Sequence, residues 1–397
     1  MYISGATIPG SRRALSRGRL PQAFDRTLMA RHPFSSFLLQ LAALLGEVLG
    51  GPATANTVLS RELCALASRH QVAPLLQAAA SSGRHPAPKE VFEALRESYR
   101  ASVARRQATL PILERIADRF QKHDIAWTVF KGTTQAAQFY PDPAWRDSAD
   151  IDLLVPPADF GRALDVLVEM GFVASYPPVP RRGVFRRMIL AAVRDVMLVV
   201  PANTADAIEF HKRLFFAGGR HADALALPVA EGRMPTPVMG PDLAFYLIAH
   251  GALSYWVRLK WLVDLVPLLS RLGNDELAAI RARARDARSE NAVAASLLLL
   301  RMLFPFVVLG PLEGWLDEMR SDPAVERRLR RYAKALGSDD GEKRSPLNDA
   351  WAMLEAAILL FEAPSTRLHI LIAAPFSSAM RRLAGCIYYR ERSLTLS

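Results

Sequence analysis

Cysteine is almost missing from this chain: Cys64 and Cys386 are the only two in 397 residues. Two thiols cannot build a disulfide framework or a thiolate metal site, and their scarcity fits a reducing cytoplasm. Several chemical signatures are missing too. There is no zinc-ligand spacing, Walker phosphate loop, dinucleotide glycine fingerprint or serine nucleophile elbow. The commonest routes to NTP hydrolysis, hydride transfer and acyl transfer are thereby excluded. No internal repeat is visible, so a solenoid is excluded. No aromatic-basic RNA motif is present either, which places nucleic acid below other partners.

A membrane-spanning run is also lacking. The apolar stretch from Ala292 to Leu312 contains Arg301, Pro305 and Pro311, and a spanning helix tolerates these poorly, so it reads as a buried helix. Near the N-terminus, Arg12, Arg13, Arg17, Arg19, Arg26 and Arg31 precede an apolar run from Phe37 to Leu49, with "ATA" after it at 53–55. That order resembles an export signal. However, Glu47 interrupts the run, the basic leader is long, and the apolar positions repeat at helical spacing behind serines. The expectation is a flexible basic tail over 1–33 and a core helix after it.

The chain is 51% hydrophobic and 22% charged, enough for a substantial core in two or three domains. Its formal net charge of +11 points to polyanionic partners such as nucleotides, nucleic acid or an anionic membrane surface, or simply to an arginine-rich genome. Residues 34–120 carry apolar positions at three- and four-residue spacing and read as helices, apart from Pro111. The period then changes. "IAWTVFKG" (125–132) reads as a short strand ending at Gly132, and "TTQAAQFY" as a helix opened by Thr133 or Thr134. "ADIDLLVP" is a second strand stopped by Pro156, and "PADFGRALDVLVEMGF" a helix closed by Gly171. "DVMLVVP" (195–201) and "DAIEFHKRLF" (206–215) are further strands, with "YPPVPRRGVFRR" before them as a loop. Helical patterns resume after Gly240. The expected domains are a tail (1–33), an N-terminal helical region (34–120), an α/β core (121–220) and a C-terminal helical domain (221–397).

The chemistry concentrates in "FKGTTQAAQFYPDPAWRDSADIDLLV" (130–155). On a strand, residues i and i+2 share a face about 6–7 Å apart. Asp150 and Asp152 therefore point one way while Ile151 and Leu153 pack the other way. Two neighbouring carboxylates on an apolar strand repel each other and resist desolvation, so they need a cation. A lysine or arginine would make them a structural pair. A divalent ion would make them functional, because Mg²⁺ binds through one or two carboxylates plus phosphate oxygens. Asp-x-Asp alone says little, but its surroundings add to it. Gly132 lets backbone approach a ligand, the N–H groups at Thr133 and Thr134 favour an anion, and Lys131 and Arg146 add positive charge. Together these can hold an NTP with Mg²⁺, and a third acid would complete a two-ion site. Glu209 is the best candidate, with Asp206 as the fallback. It would help deprotonate an attacking hydroxyl while metal polarises the α-phosphate. His211 follows on the same face, as a contact to phosphate or acceptor.

The 130–155 stretch, "IEFHKRLF", "AHGALSYWVRLKWLVDL" and "RHQVAPLLQAA" (69–79), in this order, resemble the uncharacterised nucleotidyltransferase family of the DNA polymerase β-like superfamily over roughly 35–270. The resemblance implies an α+β fold, with a small mixed β-sheet and flanking helices embedded between N- and C-terminal helical regions. It implies phosphate contacts at Gly132 and Thr133, metal ligation by Asp150 and Asp152, and a third acid at Glu209, where Asp is common in the family. Transfer of NMP from an NTP, ATP first, to a peptide, protein or small-molecule acceptor follows as the implied activity. A catalytically silent nucleotide-binding partner module and an RNA-end nucleotidyltransferase are the alternatives. Two further groups are of interest. His250, Trp256, Arg258, Lys260 and Asp264 would cover the nucleotide or serve as core, and His250 and Asp264 share a face if their helix is unbroken at Gly251. The clusters Arg181, Arg182, Arg186, Arg187 and Arg281, Arg283, Arg285, Arg288 would line a cleft for a polyanion or form solvated faces.

Overall fold

The computed structural model describes residues 34–148, 150–200, 203–214 and 240–338, with isolated positions between 354 and 379. The expected basic tail lies outside these residues. The first helix, α1 (Ser36–Val48), starts where the Ser35 hydroxyl accepts from Leu38 N at 3.1 Å. Ser60 caps α2 (Arg61–Arg69) in the same way. These caps satisfy amides that an open helix end leaves unpaired. Next come α3 (Ala73–Ser81) and α4 (Lys89–Lys122), which runs unbroken through Pro111.

The change of period falls where the sequence places it. Strand β1 is short (Thr128–Val129) and α5 follows (Thr133–Phe139), then β2 (Asp150–Leu154) and α6 (Phe160–Glu169). Two elements differ from expectation. Val173–Tyr176 forms an edge strand, β3, and the arginine-rich loop holds over 177–183 but gives way at Val184 to a helix, α7 (Val184–Ala192). Prolines and Gly183 dominate the pattern just before α7 and mask its apolar positions. Strands β4 (Asp195–Val200) and β5 (Asn203–His211) complete the sheet. Its order is β1-β2-β5-β4-β3, with β2 and β5 parallel and all other pairs antiparallel. The fold is α+β with a mixed sheet, as the resemblance implies.

Among the residues described through 338, the helices that follow are α8 (Pro241–Leu253), α9 (Leu259–Leu269), α10 (Asn274–Asp286), α11 (Glu290–Leu303), α12 (Glu313–Met319) and α13 (Pro323–Gly337). The apolar run after Ala292 is the buried helix α11, which ends before Pro305. Among the described residues no helix is long and apolar enough to cross a membrane.

Two hydrophobic clusters hold these elements. Ile151, Leu153, Leu198, Ile208 and Phe210 cover one sheet face with α6 and the end of α4. Each fully buried side chain of this size contributes about 1.5–3 kcal/mol. The helices before and after the sheet in sequence share the second cluster, which also takes in Phe130, Tyr140 and Leu154. The acidic face of the sheet thus looks toward a helical body made from both ends of the chain.

Candidate active site

Register brings the acids together. In the parallel β2–β5 pair, Asp152 stands opposite Glu209 and Asp150 opposite Ala207. Partners on adjacent strands share a face, so Asp152 and Glu209 project side by side. In the antiparallel β4–β5 pair, Asp195 stands opposite His211, which adds two more polar groups to the same face. One ligand atom each from Asp152, Glu209 and His211 lies within 4.8 Å of the others, and Asp150 is not part of that group.

Lys131 lies across these acids. Its Nζ is 2.8 Å from Asp152 Oδ1 and 3.6 Å from Glu209 Oε2. Burial opposes its charge, but Asp152, Tyr246, Glu209 and Asp150 together raise its pKa well above the ordinary lysine value. The arrangement meets the need for a cation stated from sequence, and it is the structural form of that answer. His211 Nε2 is 3.4 Å from Asp152 Oδ1 and 3.4 Å from Glu209 Oε2. Burial pulls its pKa down, and its contacts with Asp152 and Glu209 more than reverse this. The His211 contact, against the cost of burial and with help from Lys131, holds Glu209 below the usual carboxylate range. Asp150 moves the other way: burial and then Asp152 push its pKa up. The two carboxylates therefore differ in character, one a persistent anion and the other a readier proton acceptor.

The glycine turn is required on two counts. Gly132 has φ +80°, in the left-handed region, and a Cβ there would fall 2.7 Å from Ser148 Oγ. Ser148 in turn donates to the Asp150 carbonyl at 3.1 Å. The start of α5 thus packs directly on the start of β2. Helix α5 begins at Thr133 and spans seven residues, so its dipole is short. The side chains of Thr133, Thr134 and the fallback Asp206 lie outside the described residues.

Arg146 is placed differently from the other candidates. Its Nε donates to both oxygens of Asp264, at 3.0 and 2.9 Å, and Tyr140 donates to Oδ1 of the same carboxylate at 2.6 Å. The pair is almost fully buried. A charge-assisted contact of this kind engages the Nε edge of the guanidinium and ties the β2 approach to α9. Lys260 stands in the same neighbourhood. Burial and Arg146 lower its pKa to about 8, against Asp150, Asp264 and Asp147. It has no ion pair within 4.0 Å among the described residues.

The His250–Asp264 helix is broken, but not at Gly251. Helix α8 ends at Leu253 and α9 starts at Leu259, with Tyr255 and Trp256 at positive φ between them. Gly251 stays within α8, and the Trp256 ring lying over it leaves under 2.6 Å for a Cβ, so the position requires glycine. Trp256 is wholly buried and donates to Ser296 Oγ at 3.0 Å, so it is core. His250 sits between Tyr246 and Trp261, and burial and Lys131 hold it neutral. Arg186 is occupied by Asp165 at 2.8 Å, and Arg283 by Asp242 at 2.7 Å.

Two contributors escaped the sequence reading. Tyr246 packs edge-on against Phe130 at 5.2 Å and forms a wall beside Lys131. Asp195 heads a strand in the same way as Asp150, and that repeated pattern was the available signal. The 69–79 signature also gains a role. His70 Nδ1 accepts from Leu259 N at 3.2 Å, and Lys260 N donates to His70 O at 3.3 Å. These bonds fix the start of α9 beside the site.

A family model described as an uncharacterised nucleotidyltransferase matches residues 57–305. That range covers every residue of the site. No curated protein and no solved structure matches the chain.

Proposed function

The chain belongs to the uncharacterised nucleotidyltransferase family, and we propose that it is a metal-dependent enzyme moving NMP from an NTP, ATP first, to a peptide, protein or small-molecule acceptor. The in-register pair of Asp152 and Glu209 beneath the Gly132 hinge is the observation that carries this reading. The donor set suits a divalent ion. Both oxygens of Asp152 are buried without a hydrogen bond of good geometry, and two such acids side by side favour a cation.

Asp152 and Glu209 would hold the protein-bound ion, and Mg²⁺ would arrive with the triphosphate. When bound, the metal polarises the α-phosphate. Gly132 admits phosphate oxygens close to backbone. With those acids holding the ion, Lys131 would pair with the triphosphate, and Lys260 would add a second cation. The acceptor oxygen forms a bond to the α-phosphorus, and the bond from that phosphorus to pyrophosphate breaks. Asp150, the more basic carboxylate, takes the acceptor's proton, and Glu209 remains an anionic ligand. Arg146 acts from behind by fixing α9. A cytoplasmic setting, where NTPs are held, completes the proposal.

The test is incubation of the purified protein with each α-labelled NTP and Mg²⁺ or Mn²⁺, followed by a lysate fraction that supplies acceptors. Transfer of label with stoichiometric pyrophosphate is the expected result. Lys131 lying across the acids is the one observation that favours a silent nucleotide-binding module. Metal-dependent NTP binding with no pyrophosphate release under any condition would establish that reading instead.

A further inference from the structure

Beside the two facing acids stands a nitrogen donor. Nε2 of His211 is 3.4 Å from an oxygen of each. The residue is 3% exposed, and neither ring nitrogen completes a hydrogen bond of good geometry. On the opposite side of the ring, Nδ1 faces Asp195 Oδ2 at 3.8 Å. Arg194 Nε anchors that oxygen at 2.7 Å. At 3.8 Å the Asp195 carboxylate acts by its charge and not through a hydrogen bond: it favours the tautomer protonated at Nδ1, which leaves the lone pair of Nε2 toward the two acids. A carboxylate on that side is the usual support for a metal-bound histidine. The register explains why it recurs here. The β4–β5 pairing sets Asp195 opposite His211, and His211 lies two residues beyond Glu209 on the same face.

We propose that Asp152, Glu209 and His211 form a mixed carboxylate–imidazole site for a divalent transition-metal ion, represented by Mn²⁺, with Asp195 as the positioning residue behind His211. The role of that ion rests on the nucleotidyl-transfer reading, but its ligand set stands on geometry alone. Mg²⁺ prefers oxygen donors and retains several waters. An imidazole ligand shifts preference from Mg²⁺ toward the first-row transition ions, of which Mn²⁺ is the EPR-active probe. Asp150 is outside the donor group and stays available to the acceptor. Lys131 must leave the acids when the ion binds.

Pulsed EPR of the full chain loaded with Mn²⁺ decides the matter. Natural-abundance protein should show imidazole ¹⁴N modulation that changes when the histidines carry ¹⁵N, and His211→Gln should remove it. Mn²⁺ affinity should fall at least about tenfold in His211→Gln and about tenfold in Asp195→Asn. Mn²⁺ bound without nitrogen modulation, or modulation that survives His211→Gln, overturns the site. If His211→Gln fails to fold, as judged by its melting curve, the isotope comparison in the unmutated chain shows whether a histidine binds the ion, and the affinity loss in Asp195→Asn assigns it to His211. NTP turnover measured on the same samples separates the two failures. Pyrophosphate release with oxygen-only Mn²⁺ overturns the histidine ligand alone. Nitrogen-ligated Mn²⁺ without turnover of any NTP overturns the transferase reading alone.

Discussion

Replacing Lys131 by methionine tests whether its ammonium stands where metal binds. The substitution keeps most of the side-chain volume and removes the charge 2.8 Å from Asp152 and 3.6 Å from Glu209. Asp152 is 1% exposed, so water cannot replace the lost partner. Removing one member of a buried pair costs about 3–5 kcal/mol. His211 still faces both acids, which favours the lower end, about 3 kcal/mol. In a chain this long 1 kcal/mol moves the melting temperature by about 2 °C, so a fall of about 6 °C is expected. An ion at a hundred times its Kd stabilises the native state by about 2.7 kcal/mol. Mn²⁺ should therefore restore nearly all the loss. It should also bind more tightly to the variant than to the parent, in which it must first displace the ammonium. Scanning calorimetry with and without Mn²⁺ and titration calorimetry of the ion measure both quantities. If Mn²⁺ raises the melting temperature of the variant no more than that of the parent, Lys131 does not occupy the metal's place and the reasoning fails.

Asp152→Asn should reduce NMP transfer by at least about 10³-fold, because several kcal/mol of metal-borne stabilisation disappears, while circular dichroism stays unchanged. Turnover near the parent rate would remove Asp152 from the site. Gly132→Ala should cost about 2–3 kcal/mol in chemical denaturation, from the left-handed backbone and the close approach of Ser148 Oγ. Adding Ser148→Ala should recover the steric part only. Acidification should weaken the joint between α2 and α9. Burial, with Arg69 and Arg258, lowers the His70 pKa to about 3 in the fold, against about 6.5 unfolded. The unfolded chain then binds the extra proton between these values, so stability present above about pH 6.5 is lost as pH falls toward 3. By pH 5 this amounts to about 2 kcal/mol at most, and His70→Gln should flatten the dependence; an unchanged slope would assign it to other groups.

Much of this protein follows from local pattern. The two-residue period of a strand puts Asp150 and Asp152 on one face and His211 on the face of Glu209, whatever the rest of the chain does. The conformation at Gly132 demands a residue without a side chain, and serines before apolar spacing cap α1 and α2. Such features depend on residues within a turn of one another, and they are legible as text. Family resemblance extended this to the mixed sheet. Short or masked elements were not legible. Strand β3 has little burial to pattern it, and the prolines before α7 hide its periodicity.

What tertiary structure alone decided is which charges meet. The parallel β2–β5 register selects Asp152 rather than Asp150 as the partner of Glu209. Arg146 pairs with Asp264, far along the chain, and so ties α9 to the approach to β2. Asp195 reaches His211 only because β4 lies between β5 and the sheet edge. A charge in low dielectric is governed by its nearest opposite charge, and in this chain those neighbours come from segments that no local spacing relates.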